Sequence, residues 1–308
     1  MMSKDKTASL SAQKSAPKQR SLKAHQRVTN VIVYIILTVV SAIWIAPFFM
    51  IVLESFKGEA TMPTDHFIPR QWSLNNYRAL FNIGVEKKDE IKFLRWYMNT
   101  LIMSCACALI QTFMVLCMSY TLSRMRFKGR KFLMNFMLVL GMFPGFLSMI
   151  ILKKVLSGWG MIGSNSVIGL IIVYTASSAM GYYVSKGFFD TIPRSLDEAA
   201  RVDGATRATV FFKITLPMAK PIVIYTLLTA FMGPWGDFMF AKYIVNNSSD
   251  GMNVAVGLQN LIETSNGLGA HYTHFCAAGV LVAIPVTILF MCLQRYYVEG
   301  VTGGAVKG

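Results

Sequence analysis

An all-α polytopic membrane protein with six transmembrane helices is the fold class this sequence predicts, on three observations. Of its 308 residues 54% are hydrophobic and only 15% charged, with a mean hydropathy of +0.47. A soluble domain of this length does not need so much apolar sequence. The apolar residues fall into six runs, near 29–53, 97–121, 133–152, 167–186, 221–241 and 273–294. Each is about 20 residues or longer, which as helix spans a hydrocarbon core of roughly 30 Å. Lipid offers backbone N–H and C=O groups no partners, so runs of this kind are helices. The third observation is charge placement. With both termini cytoplasmic, the inside segments (the tail to Arg27, 122–132, 186–220 and 295 onward) hold two thirds of the 30 Lys and Arg. Nearly all of the formal +15 charge then lies on one side of the membrane, as the positive-inside rule expects. The basic residues are spread over four segments between spans, so the charge reads as topology and not as nucleic-acid binding.

Residues 1–27 are polar, basic and without apolar periodicity, and are expected to form a disordered cytoplasmic tail. The run that follows is too long for the apolar core of a cleaved signal peptide and is taken as a retained first span. Pro144-Gly145 in the third run and Pro285 in the sixth predict kinks. The fourth run carries Tyr174, Tyr182 and Tyr183, which pack against neighbours or line a pathway. The fifth ends in Gly233-Pro234-Trp235-Gly236-Asp237. An acidic residue at membrane depth is costly and marks a functional candidate, so Trp235 and Asp237 are the substrate-pathway candidates. The bland alternative puts Asp237 near the outer end of the helix, wet or paired with Lys242, with Trp235 as an interfacial anchor. Cys105, Cys107, Cys117, Cys276 and Cys292 all fall within or at the edge of spans, a pattern that argues against a disulfide framework or a metal site. His271 and His274 stand three apart without an acidic or thiol companion at ligand spacing, so no metal site is expected.

The most informative hydrophilic stretch is 198–217, EAARVDGATRATVFFKITLP, inside an inward loop of about 188–220. Ser195 and Glu198 form an S-x-x-E pattern that predicts a capped helix start. Leu196, Ala199 and Ala200 share one face at i, i+3, i+4 spacing, small enough for another surface to approach. Asp203-Gly204 marks a turn, because glycine takes positive φ without a Cβ penalty. A second amphipathic segment follows, with Phe211, Phe212 and Ile214 apolar and Arg207 and Lys213 charged, before Pro217 and Pro221 re-enter the membrane. The bland reading is an interfacial helix that merely connects two spans.

Glu198-Ala199-Ala200, Gly204, Ile214 and Leu216-Pro217 match the spacing EAA-x3-G-x9-I-x-L-P, which resembles the coupling loop of bacterial ABC importer permeases. The likeness runs from about residue 28 to the end. It takes in FIPRQWSLNNY, Asn99-Thr100, SYTLSRMRFKGR, MFPGF and the terminal EGVTGGAVKG, and is similar to the smaller permease subunit of maltose and maltodextrin importers. The resemblance implies an ABC importer type I permease fold over 28–308, in a bacterial cytoplasmic membrane. It implies a second permease subunit, an ATPase dimer and an extracytoplasmic sugar-binding protein as partners, an oligosaccharide as cargo, and no nucleic acid. Glu198, Ala199, Ala200, Asp203 and Gly204 would meet the ATPase, and the tail 296–308 would lie against it. The outer loop of about 243–272, with Asn253, Gln259, Asn260 and His271, would face the binding protein.

No G-x-x-x-x-G-K-[ST] phosphate loop occurs in the chain. No cofactor is expected on it, ATP and Mg²⁺ belonging to the partner ATPase, and it is not expected to be an enzyme. A secondary transporter driven by an ion gradient is the main competing class, but it calls for repeats and midplane acids that this sequence does not display. A membrane enzyme lacks a visible catalytic cluster.

Overall fold

The computed structural model describes residues 18–58, 66, 68–84, 91–246, 248–263 and 271–305. The expected tail 1–17, Phe67 of the FIPRQ segment, residues 264–270 of the outer loop and the last three residues lie outside them. The chain divides into two units, residues 1–53 and 54–308. The described residues of the first form α1 (Lys18–Ser55), which starts ahead of the expected boundary at 27 and runs through Pro47 without ending. Its apolar side chains from Val28 to Phe49 are exposed, so α1 is apolar on all sides, as a span requires.

The regular secondary structure among the second unit's described residues is helical, apart from one isolated bridge between Lys57 and Trp72. In chain order it contains α2 (Asn75–Leu80), α3 (Phe93–Arg124), α4 (Arg130–Gly141), α5 (Gly145–Gly158), α6 (Ser166–Ala176) and α7 (Ala179–Thr191). The loop that follows holds α8 (Arg194–Val202), α9 (Arg207–Thr209), a π-helical turn (Val210–Thr215) and α10 (Leu216–Met218). Then come α11 (Lys220–Gly236), α12 (Met239–Val245), α13 (Val254–Glu263) and α14 (Tyr272–Ala305). Four stretches are long and apolar enough to cross a membrane: Gln26–Ser55, Phe93–Arg124, Gly163–Thr191 and Tyr272–Gln294. Two bent pairs bring the number to six.

The third and fifth spans are not single rods. α4 and α5 meet at 98°, a far sharper break than a kink. Pro144, with ψ 120°, supplies no N–H to continue α4 and starts α5 afresh. The fifth span bends by 83° at Ala219, between Pro217 and Pro221, and is interrupted again at Asp237. The fourth is interrupted at Ser177-Ser178. There Ser178 Oγ donates to Thr175 O, a carbonyl left over at the break, while Thr175 Oγ1 back-bonds to Ile171 O and Ile172 O within α6. Pro285 lies within α14, which continues through it.

α3 is the axis, with a core at each end. Towards its start, Phe93, Trp96 and Met103 meet Trp235 of α11, Phe240 and Ile244 of α12, Val254 of α13 and Ala277 of α14. Towards its finish, Leu116 and Tyr120 meet Phe189, Ile192, Phe211 and Ile222. At the first end the loop before α13 is fastened by side chains. Trp96 Nε1 donates to Ser249 O, and Asn99 Nδ2 donates to Asp250 O and Met252 O at 2.8 and 2.9 Å. Thr100 Oγ1 donates to Trp96 O and accepts from Val254 N. Asn76 ties three segments together. Its Nδ2 donates to Ser55 O and Lys57 O, while its Oδ1 accepts from Thr273 Oγ1. Lys57 is buried, ion-paired with Glu54 and donating to His66 O.

Gly257 exists for close approach. A Cβ there would lie 2.2 Å from the Trp96 ring. Gly257→Leu is therefore expected to overpack this end of the bundle by about 1–3 kcal/mol. It should lower the midpoint of heat-induced aggregation in detergent, whereas the same change at Gly233, whose Cβ direction is open, should not. Equal midpoints for the two variants would refute the packing role of Gly257.

Candidate functional site

Between α7 and α11 the chain leaves the bundle and forms an exposed helix on a buried footing. Residues 194–202 form α8 as expected, but not by the expected cap. Pro193 occupies the N-cap position with ψ 131°, and no side chain caps the helix. The S-x-x-E capping box is therefore absent: the helix starts one residue before Ser195, which is already in its first turn and cannot cap it. Asp197, in that turn, complements the helix dipole.

The end of α8 does follow the expected chemistry. Gly204 has φ +84°. Its N–H donates to Arg201 O at 3.1 Å and the next N–H, of Ala205, donates to Ala200 O at 2.9 Å. This is the double bond pattern of a Schellman motif, which a glycine at positive φ closes. Thr206 then caps α9, its Oγ1 accepting from Thr209 N. In the second segment Phe211 is buried against Tyr120 while Phe212 is 53% exposed. The two lie on a π-helical turn, Val210–Thr215, and as adjacent residues point to different sides of it.

Three attachments hold α8 in place. Arg124, at the finish of α3, has a side chain only 6% exposed. Its Nε lies 3.1 Å from Asp197 Oδ2, and its Nη2 donates to Ile192 O. Arg194 Nη2 reaches back to Ser123 O, and Ser123 Oγ donates to Asp190, which Lys186 also pairs. Thr215 Oγ1 donates to Asp197 Oδ1. A carboxylate with a side chain 13% exposed, facing a guanidinium 6% exposed, is strongly coupled to it, because either one left alone would be a poorly compensated charge. No residue of α8 is itself buried. Glu198, Ala199, Asp203 and Gly204 are exposed, Ala200 is half-buried, and Leu196 and Val202 are 39% and 88% exposed. An apolar and small-residue surface is thus offered outward by a helix whose inner side is tied down.

Trp235 and Asp237 lie elsewhere, near the start of α3. Trp235 is buried, 7% exposed, against Tyr97 and Phe231, and its indole N–H has no partner among the described residues. Asp237 is half-buried. Its Oδ2 accepts from Tyr174 Oη at 2.5 Å and its Oδ1 from Phe240 N, which caps the restart of the span as α12. Asn253 Nδ2 donates to Asp237 O and Pro234 O. Lys242 instead approaches Asn260 Oδ1 at 2.6 Å and Glu263 at 3.4 Å. The Gln259 amide and then Lys242 hold the Glu263 carboxyl below its ordinary range. Tyr183 donates to Met134 O, bracing α7 on α4. His271 and His274 face each other with Nδ1 atoms 3.4 Å apart, and among the described residues no group of three metal-ligating side chains occurs. The backbone of 295–305 continues α14. The pairings made by Arg124, Ser123 and Tyr174 carried no sequence signal, because the partners are 63 to 73 residues away.

The arrangement is mechanical rather than chemical: a rigid attached helix with an open face, and a polar junction at a broken span. The sequence pattern of the family described as "Binding-protein-dependent transport system inner membrane component" matches residues 115–303. The galactooligosaccharides transport system permease protein GanQ of Bacillus subtilis (strain 168) is 32% identical over 93% of this chain and 99% of its own length. The maltodextrin transport system permease protein MdxG of the same organism is 32% identical over 89% and 95%. The maltose/maltodextrin transport system permease protein MalG of Escherichia coli (strain K12) is 30% identical over 94% and 98%. A crystal structure of a bacterial ABC transporter involved in alginate import contains a chain that superposes with a TM-score of 0.74 at 20% identity, covering 89% of this chain and 98% of that one. That likeness concerns the fold. With the family pattern covering more than half the chain and relatives of this similarity spanning nearly all of it, the protein belongs to the inner membrane components of binding-protein-dependent transport systems.

Proposed function

We propose that the chain is one of two permease subunits of an ATP-driven importer of oligosaccharides, with malto-oligosaccharide the first candidate cargo. The observation that carries this reading is α8, an exposed face of Leu196, Glu198, Ala199 and Val202 fixed to α3 through the Arg124–Asp197 pair. A separate ATPase dimer binds ATP and Mg²⁺ and docks on the loop 188–220, contacting Glu198, Ala199, Ala200, Asp203 and Gly204. The tail 296–308 lies against the same ATPases, both termini being cytoplasmic. An extracytoplasmic sugar-binding protein delivers cargo to the opposite face. The named relatives handle galactooligosaccharides, maltodextrin and maltose, which share the chemistry of a short glycan, and they support that class over any one member.

ATP-driven closure of the ATPases moves α8 as a lever, and the anchored spans shift between inward- and outward-facing states. This is a population shift driven by differential binding, with no bond chemistry in this chain. Trp235 and Asp237 stand behind the pathway in this reading, where Asp237 fixes the break between α11 and α12 and the exposed Gly233 and Gly236 leave room beside it. The main alternative is a transporter driven by an ion gradient, and a different oligosaccharide remains the alternative cargo.

Purification of the tagged chain from its native membrane, in mild detergent with nucleotide, is expected to recover a second permease, a phosphate-loop ATPase and a sugar-binding protein. Recovery of this chain alone would favour the gradient-driven class. Glu198→Lys and Gly204→Val are each expected to reduce ATPase recovery and sugar uptake at least several-fold. The first reverses a charge on the open face, and the second places a β-branched side chain at positive φ at a cost of about 1–2 kcal/mol. Unchanged uptake and ATPase recovery in both would sink the docking reading. Asp197→Ala is expected to destabilise the chain by about 3–5 kcal/mol by stranding Arg124. Thermal stability should recover in the Arg124→Leu/Asp197→Leu double variant, and failure to recover would argue against the pair as the anchor.

A further inference from the structure

Beside α8 lies a cavity of about 430 Å³ lined by five arginines, Arg124, Arg126, Arg194, Arg201 and Arg207, all but Arg124 exposed. Two carboxylates share that lining, Asp197 and Glu198. Asp197 is already engaged with Arg124, and Glu198 is exposed. Arg194 is committed to Ser123 O. Among the described residues no carboxylate lies within ion-pair distance of Arg126, Arg201 or Arg207. Arg124 adds an independent sign: its side chain is more than nine-tenths buried, yet its Nη1 has no hydrogen-bond partner among the described residues. A buried guanidinium N–H left open costs free energy, and the cavity on which it borders is polar and roomy.

We propose that this cavity is an anion site that binds a phosphate group. Planar guanidinium forks match phosphate oxygens pairwise, and three uncommitted arginines around one space exceed what a single carboxylate would need. The phosphate can come from either of two sources. One is a free phosphate or phosphate ester in the surrounding water. The other is a phospholipid headgroup, because Arg126 also borders a second recess with Arg130, Lys131 and the exposed Phe127 and Phe132, a basic and aromatic surface suited to an anionic membrane. Bound phosphate would brace α8 from beside it, between the helix and the finish of α3.

The test is a thermal-shift titration of the full-length chain in nanodiscs. In phosphatidylcholine discs the probe is inorganic phosphate, against potassium chloride at matched ionic strength. In a second arm, phosphatidylglycerol replaces part of the phosphatidylcholine. Stabilisation by the first probe identifies a free anion, and stabilisation by the second alone identifies the headgroup. Either response should weaken roughly tenfold or more in Arg201→Gln/Arg207→Gln, which removes two charge-assisted contacts. It should persist in Lys213→Gln, which lies on the same loop but outside the cavity. Arg126→Gln, on the α3 side, should weaken it as well and does not depend on the loop folding correctly. No response to either probe, the same response to chloride, or unchanged responses in both arginine variants would overturn the proposal. The readout is ligand-dependent stabilisation of this chain without an ATPase, so failure here leaves the docking of α8 on an ATPase a separate question.

Discussion

The constraint on which the rest of the structure depends is that a backbone in hydrocarbon must satisfy its own polar groups. An unbroken helix does so at no cost to the side chains, and α1 and α14 take that form. Every interruption of a span frees N–H and C=O groups that lipid cannot serve, and at two of the breaks in this chain side chains serve them. Ser178 takes up the Thr175 carbonyl between α6 and α7, and Asp237 and Asn253 serve the break between α11 and α12. The apolar runs alone would make six passive rods. The polar residues inserted among them decide where those rods bend and which neighbours they lock.

The same economy explains why α8 is anchored by charge. A short helix outside the bundle buries too little apolar surface to fix itself by packing. The described face of α8 toward solvent contains no buried residue at all. The directional part of its attachment therefore falls on Arg124, whose planar fork addresses Asp197 and the Ile192 carbonyl from one position. Aromatic packing of Tyr120 with Phe189 and Phe211 supplies the platform beneath it. Cores pack densely and transmit displacement rather than absorbing it. A push on α8 is thus delivered to the finish of α3, and α3 contacts both cores.

Much of this was legible in the sequence where the chemistry is local. Six apolar runs, the break at Pro144 and the positive φ of Gly204 each follow from one or two residues. Local reasoning failed where two local rules competed. Ser195 and Glu198 fit a capping box, but Pro193 starts the helix earlier, because proline suits a helix start and cannot donate within one. The long-range pairs were not legible at all. Nothing near Arg124 names Asp197, and nothing near Tyr174 names Asp237, because the partner of a buried charge is chosen by the fold and not by spacing.

That failure carries its own information about Asp237. Sequence reasoning singles it out because an acid at membrane depth needs a reason to be there. Contact with cargo was one reason on offer. Its two carboxylate oxygens are instead given to Tyr174 and to the first turn of α12, and its carbonyl to Asn253. The carboxylate joins three segments at the place where the fifth span breaks. The cost of placing an acid there is offset by shaping the backbone, and the open side of the break is left to the small residues Gly233 and Gly236.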